Sequence, residues 1–358
     1  MSKIFFTPGP AQLYPTVASH VVNALNENIG SISHRGKQFQ VIYQEADEHI
    51  RALLGVPQDF KIFFTGSATE IWERILQNTV ENHSTHFVNG SFSKKFYEFS
   101  VELGNTATKF EVPFGNGFDI NAYEIPSETE LICVTHNETS SGVMMPTADI
   151  HALRAKNPNA IIAVDAVSSV PYPQFDFKTI DSAFFSVQKG MGLPAGLGVW
   201  IVNDRCIDKA NALKSKGKSI GTYHSLPSLW SNGSKFETPS TPNVFGIYLL
   251  AKVTGDMLKK GVDVIRKETD LKAAKLYDFV EKSSLLEVFV QNTAHRSPTV
   301  IVANTTGVAS DLINALKPLD LILGAGYGNF KDKQVRIANF PAVSVENVER
   351  LLDELSKI

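Results

Sequence analysis

Between about residues 60 and 203 the chain alternates short apolar runs, rich in β-branched and aromatic residues, with longer segments of helical period. The short runs read as strands buried on both faces and the longer segments as amphipathic helices. Strands are predicted over 61–65 (KIFFT), 85–89, 108–113, 131–135 (LICVT), 161–165, 182–188 and 198–203 (GVWIV), each closing on small or polar residues. Helices are predicted between them over 68–82, 93–103 and 147–156, the last opening at Pro146 and Thr147 with Asp149 in its first turn. This alternation is the pattern of a βαβ sheet with helices on its faces.

After Trp230 the pattern changes. A loop rich in Ser, Pro and Thr leads into a helical stretch over 242–284, interrupted near Gly261. Strands over 286–291, 298–303 (PTVIVA) and 334–339 and helices over 308–316 and 345–357 then form a small α+β unit. The 358 residues exceed one ordinary core, so two domains with a boundary near 258 are predicted. No repeat or low-complexity tract interrupts them.

Composition narrows the range of partners. With 43% hydrophobic residues, 20% charged residues and a formal charge of −3, no large basic surface is expected for nucleic acid or an acidic membrane, and small molecules are the expected partners. The cysteines, Cys133 and Cys206, lie far apart with no metal-ligand spacing, so no metal is expected and a reducing compartment fits. The first apolar stretch is too short for a secretory signal, and no run reaches the length of a membrane span. The expected location is the cytoplasm.

The chemistry gathers at strand ends, where open parallel sheets bind ligands. Gln188 and Lys189 follow one apolar run and Asp165 closes another, 24 residues earlier. A lysine amine beside a buried carboxylate matches the needs of pyridoxal phosphate, which forms a Schiff base with the amine and keeps its ring nitrogen protonated against an acid. Read alone, Lys189 serves as well as a solvated loop lysine, and Asp165 as a helix cap. The turn through Gly66, Ser67, Ala68 and Thr69 enters a helix and offers N–H groups and hydroxyls to a phosphate, or is simply a tight turn. Phe92 stacks on a ring or packs in a core, and Thr139 contacts a phenolic oxygen or shapes its loop. Other motifs fail. Gly190 to Ala195 mimics a dinucleotide fingerprint, but Pro194 and the following strand leave no helix for a pyrophosphate.

Taken together, the chain resembles the class V, fold-type I aminotransferases that use pyridoxal phosphate, and within them the phosphoserine aminotransferase family. The likeness rests on Pro8, Gly9 and Pro10, on Ser33 through Lys37 with Phe39, on Asn137, Glu138 and Thr139, and on Asp165, Gln188, Lys189, Thr238 and Pro239. It implies a large cofactor-binding domain over 15–257 with a mainly parallel seven-stranded sheet, and a smaller α+β domain from 1–14 and 258–358. It further implies Lys189 as the Schiff-base lysine, Asp165 on the ring nitrogen, Phe92 on the ring face and Thr139 at the phenolic oxygen. Ser67, Ala68, Thr69 and Gln188 fall at the phosphate, Arg336 on the substrate α-carboxylate, and His34 and Arg35 on its distal anion. Thr238 would reach the cofactor of a second subunit, which implies a homodimer with shared sites.

The implied reaction is a two-step amino transfer between phosphoserine and 2-oxoglutarate. One stretch departs from that family. Gly324 through Gly328, with Tyr327 between glycines, resembles the alanine- or serine-glyoxylate branch, and Lys331 and Lys333 then become candidates for the missing positive charge. A non-catalytic cofactor-binding protein is the alternative from another class.

Overall fold

The computed structural model describes residues 3–358. Its larger sheet runs Lys61–Thr65, Gly198–Val202, Ser182–Ser186, Ile161–Asp165, Leu131–Thr135, His83–Val88 and Thr106–Glu111 in spatial order. Gly198–Val202 is antiparallel to both neighbours and the other pairs are parallel. The continuous apolar runs are explained by burial: every residue of Leu131–Thr135, Ile161–Asp165, Ser182–Ser186 and Gly198–Val202 is buried. One core lies on each side of this sheet.

Helix Ala68–Thr79 shows how the covering layer forms. Ser67 Oγ accepts from Glu70 N and caps the helix, and Ile71, Trp72, Ile75 and Leu76 fall on one buried stripe. Burial of Ile71, Ile75 and Leu76 stabilises by about 2 kcal/mol per side chain.

A second sheet runs Ile4–Phe6, Leu321–Ala325, Gln334–Ala338, Val300–Thr305 and Leu286–Val288. Only its first pair is parallel. Leu276, Leu312, Val348 and Leu351 belong to the core it shares with its helices. No helix among the described residues is long and apolar enough to cross a membrane.

The alternation over 60–203 gave every strand of the larger sheet, with ends displaced by up to two residues. Ser182–Ser186 stops short of 188 because the chain turns back: Val187 N donates to Leu197 O, Leu193 N to Val187 O and Gly192 N to Lys189 O. The helix from 68 ends at Thr79, not 82, since Glu81 N and Asn82 N are taken by the Glu130 carboxylate ahead of the strand at His83. Helix 147–156 matches its predicted limits, and the long helical stretch divides into Val244–Lys260 and Val262–Lys282 at Gly261, where φ is +90°. Lys37–Leu54, which the strand-centred pattern passes over, packs on Val244–Lys260 and buries Phe39, Ile42 and Ala46 in the same core.

Candidate active site

The turn after Ser186 and the end of Ile161–Asp165 meet at the same sheet edge. Asp165 closes its strand opposite Thr135 on one side and Phe184 on the other. Lys189 follows in the turn, and Gly190 after it lies so close to the Val170 carbonyl that a Cβ there would overlap the oxygen. Gly9, at φ +142°, admits the lysine stem on the other side: a Cβ would stand 2.9 Å from Lys189 Cε. These two glycines explain how a buried lysine side chain threads between backbone segments.

Lys189 Nζ donates to Thr139 Oγ1 at 2.9 Å and lies 5.2 Å from the centre of the Phe92 ring. Burial lowers its pKa to about 8, against the opposing pull of Asp165 and Glu138. A substantial neutral fraction near physiological pH makes this amine a nucleophile. Asp165 is buried, and burial pushes its pKa up to about 6, although Val167 N and the Trp72 indole hydrogen-bond its carboxylate.

A folded pKa near 6 exceeds the unfolded carboxylate value of about 3.9, so between these values the folded chain holds more protons than the unfolded one. Stability of the cofactor-free protein therefore falls as pH rises through that window, and the penalty is complete above about pH 6. Asp165→Asn is expected to gain stability relative to the parent as pH is raised from about 4.5 to 7. Thermal unfolding of both cofactor-free proteins checks this; a difference independent of pH would contradict it.

Two residues organise the site without having been given a role from the sequence: Trp72, and Glu138, which entered only as part of the family likeness. Trp72 Nε1 donates to Asp165 Oδ2 at 2.9 Å from one helical turn beyond the Ser67 cap. Glu138 is fully buried, and its carboxylate accepts from Phe92 N, Ser93 N, Ser93 Oγ, Ser140 N and Ser140 Oγ at 2.7–3.1 Å. It joins the first turn of helix Ser91–Glu102 to the loop of Thr139, so Phe92 and Thr139 are set by one group. An acidic residue between Asn137 and Thr139, followed by two serines, was the available signal.

At the other end of the pocket, Ala68 N donates to Ser186 Oγ and Ser67 Oγ is engaged as the helix cap. Among the described residues, neither the backbone N–H nor the hydroxyl of Thr69 has a partner, and Thr69 lines the pocket at the positive end of the helix. Ala68, Thr69, Phe92, Thr139, Asp165, Gln188, Lys189 and Arg336 share one cavity of about 230 Å³ with Trp72 and Tyr327. A single water needs only about 15 Å³ on this measure, so the space suits an organic ligand. Thr135 Oγ1 and Gln188 Oε1 are buried without partners among the described residues. These orphaned groups, with an amine, a buried acid and an aromatic face, fit a phosphorylated pyridine.

Arg336 comes from the second sheet. Its Nε donates to Ala325 O at 2.7 Å and Nη1 reaches Thr139 O at 3.5 Å. Ser67, Thr238, His34 and Arg35 do not line this cavity. Thr238 is buried in a separate cleft beside Gly66, Glu70 and His224, its hydroxyl on Ser240 O. His34 and Arg35 occupy the turn before helix Lys37–Leu54, and Arg35 pairs at 3.3 Å with Glu237, which Gln40 also holds. Lys331 and Lys333 are exposed and lie outside the lining.

This fold and pocket define a pyridoxal-phosphate-dependent transferase of fold type I. The chain belongs to the class-V aminotransferase family, whose model matches residues 4–326. It is similar to the crystal structure of a phosphoserine aminotransferase from Cytophaga hutchinsonii, at 54% identity, 99% coverage of this chain, 98% of that one and a TM-score of 0.98. It is also similar to the phosphoserine aminotransferase of Rhodococcus opacus, 27% identical over 97% of this chain and 92% of the relative. An aspartate aminotransferase from Thermus thermophilus, 21% identical over 99% of each chain, shares the fold at a TM-score of 0.86.

Proposed function

We propose that this aminotransferase moves an amino group between O-phosphoserine and 2-oxoglutarate, with 3-phosphohydroxypyruvate and glutamate as the other pair. The observation carrying this reading is 54% identity, along nearly the whole of both chains, to a solved phosphoserine aminotransferase. The alanine–glyoxylate likeness, at 20% identity, speaks for the fold alone.

When bound, pyridoxal phosphate supplies an aldehyde that carries nitrogen and a ring that withdraws electrons from the substrate α-carbon. Asp165 would hold its ring nitrogen, Phe92 its face and Thr139 its phenolic oxygen, with Ala68, Thr69 and Gln188 around its phosphate and Ser67 capping the helix behind them. Lys189 offers the anchoring amine. The same amine would take and return the proton at the substrate Cα, and burial, which holds it below the ordinary lysine range, favours the neutral form such a base requires. Arg336 grips the α-carboxylate with two parallel N–H donors, which orients the Cα–H bond.

The site is shared between two copies of the chain in this reading. Leu13, Val22, Leu25 and Val41 are exposed apolar side chains in the N-terminal region that includes His34 and Arg35, which supports a second copy covering that surface. Thr238, His34 and Arg35 would then serve the partner's pocket. Arg35→Ala is expected to raise the KM for phosphoserine about tenfold and leave that for alanine within about twofold. Steady-state kinetics checks this, and equal changes would contradict it.

We also place residues 15–257 in a large domain and 1–14 with 258–358 in a small one, supported by the strands of the two sheets. Two free buried thiols support a reducing compartment, and the cytoplasm is the location this reading assigns.

The test is a panel of phosphoserine, glutamate, serine and alanine, each scored by loss of the absorbance of the lysine-bound cofactor. Phosphoserine and glutamate are expected to react fastest; preference for alanine or serine would overturn the substrate assignment.

A further inference from the structure

Beside the pocket, outside its lining, stands an exposed cation that no role so far uses, joined to the lining through Tyr327. Lys95 sits three residues after Phe92 on helix Ser91–Glu102, on the same helical face, and its Nζ donates to Tyr327 Oη at 3.2 Å. Tyr327 lines the cavity; its ring lies 5.1 Å from that of Phe92 and 5.4 Å from Arg336 Cζ. Lys95 Nζ lies 5.8 Å from the Tyr327 ring and 5.9 Å from the Phe92 ring. Each ring thus has one cation of the cavity lining within 5.4 Å, Lys189 at Phe92 and Arg336 at Tyr327, and both have the exposed Lys95 within 5.9 Å.

The charge balance is uneven. Neither Lys95 nor Arg336 has a carboxylate within ion-pair distance among the described residues, whereas Lys94 next door pairs with Glu98 and Arg35 with Glu237. Two unneutralised cations around one tyrosine ring repel each other unless anions lie beside them. An α-carboxylate on Arg336 leaves Lys95 unmatched. Like Lys95, Lys331 and Lys333 are exposed and outside the lining, but among the described residues only Lys95 of the three has a side-chain contact to lining residues, Tyr327 and Phe92.

We infer that Lys95 Nζ and the Tyr327 hydroxyl form a second-anion subsite, which receives the phosphate or side-chain carboxylate of a substrate whose α-carboxylate Arg336 holds. The inference rests on the aminotransferase reading and on Arg336 as the α-carboxylate grip. It gives the pocket's own chain a share in recognising the distal anion, and makes Lys95 a specificity-determining residue. Its ammonium is a flexible point charge, able to follow anions of different shape.

The test uses the holoenzyme with 3-phosphoglycerate, which carries both anions and no nitrogen to transfer, titrated by calorimetry. Lys95→Met is expected to weaken its binding by about tenfold or more, and Lys95→Arg to stay within about threefold of the parent. Tyr327→Phe is expected to weaken it a few-fold, roughly what one neutral hydrogen bond contributes. The KM for alanine, which lacks a distal anion, should not move in Lys95→Met. Unchanged phosphoglycerate affinity in Lys95→Met, or an equal loss for alanine, overturns the subsite. Failure of the underlying reading has a different signature, namely a parent enzyme that transaminates no amino acid, or an Arg336→Gln variant that binds 3-phosphoglycerate as the parent does.

Discussion

Lys189→Ala should lose transamination by at least about 10³-fold while its thermal unfolding stays within a few degrees of the parent. The two halves of this expectation have separate causes. Among the described residues the amine is the only lysine lining the pocket, so no neighbour replaces it as anchor or base. Its removal costs the fold little, because a buried lysine whose pKa has fallen to about 8 is already disfavoured as a charge and makes one side-chain hydrogen bond, to Thr139. Single-turnover absorbance with glutamate measures the first half and calorimetric unfolding the second. Near-parental turnover in the variant would remove Lys189 from the chemistry.

Arg336→Gln is the other large effect. A two-pronged guanidinium–carboxylate contact combines two charge-assisted hydrogen bonds, and losing it is expected to raise the KM of every amino acid by about 10²-fold. Cofactor affinity should be unchanged, since none of the groups assigned to the cofactor hydrogen-bonds the guanidinium through its side chain; the nearest contact is to the Thr139 carbonyl. The pattern across substrates separates Arg336 from Lys95: Arg336 acts on alanine and phosphoserine alike, Lys95 on phosphoserine alone. An Arg336→Gln variant with unaltered KM for alanine would show that the α-carboxylate is held elsewhere.

The parts of this site that were legible in the sequence are those written by local pattern. Ile161 through Val164 is a run too apolar for anything but a buried strand, so the acid that ends it had to sit at a sheet edge, and Lys189 after Ser182–Ser186 had to sit near it. Partnerships between distant segments left no such trace. Trp72 reads as one more apolar position on a helical stripe, and only the packed structure puts its indole on an acid 93 residues away. Lys95 reads as a surface helix lysine, and its contact with Tyr327 spans 232 residues. Ile4–Phe6 and Leu321–Ala325 escaped the strand reading for a related reason. Each is short, and each is stabilised as a strand by pairing in parallel with the other across almost the whole chain.

In the proposed reading the Lys189 amine carries pyridoxal phosphate opposite Asp165. Borohydride reduction of the cofactor-loaded protein, followed by digestion and mass spectrometry, tests it most directly. A single pyridoxyl-modified lysine is expected, at Lys189, with no such adduct in Lys189→Ala. A modification found at any other lysine, or equal labelling of the variant, would contradict it.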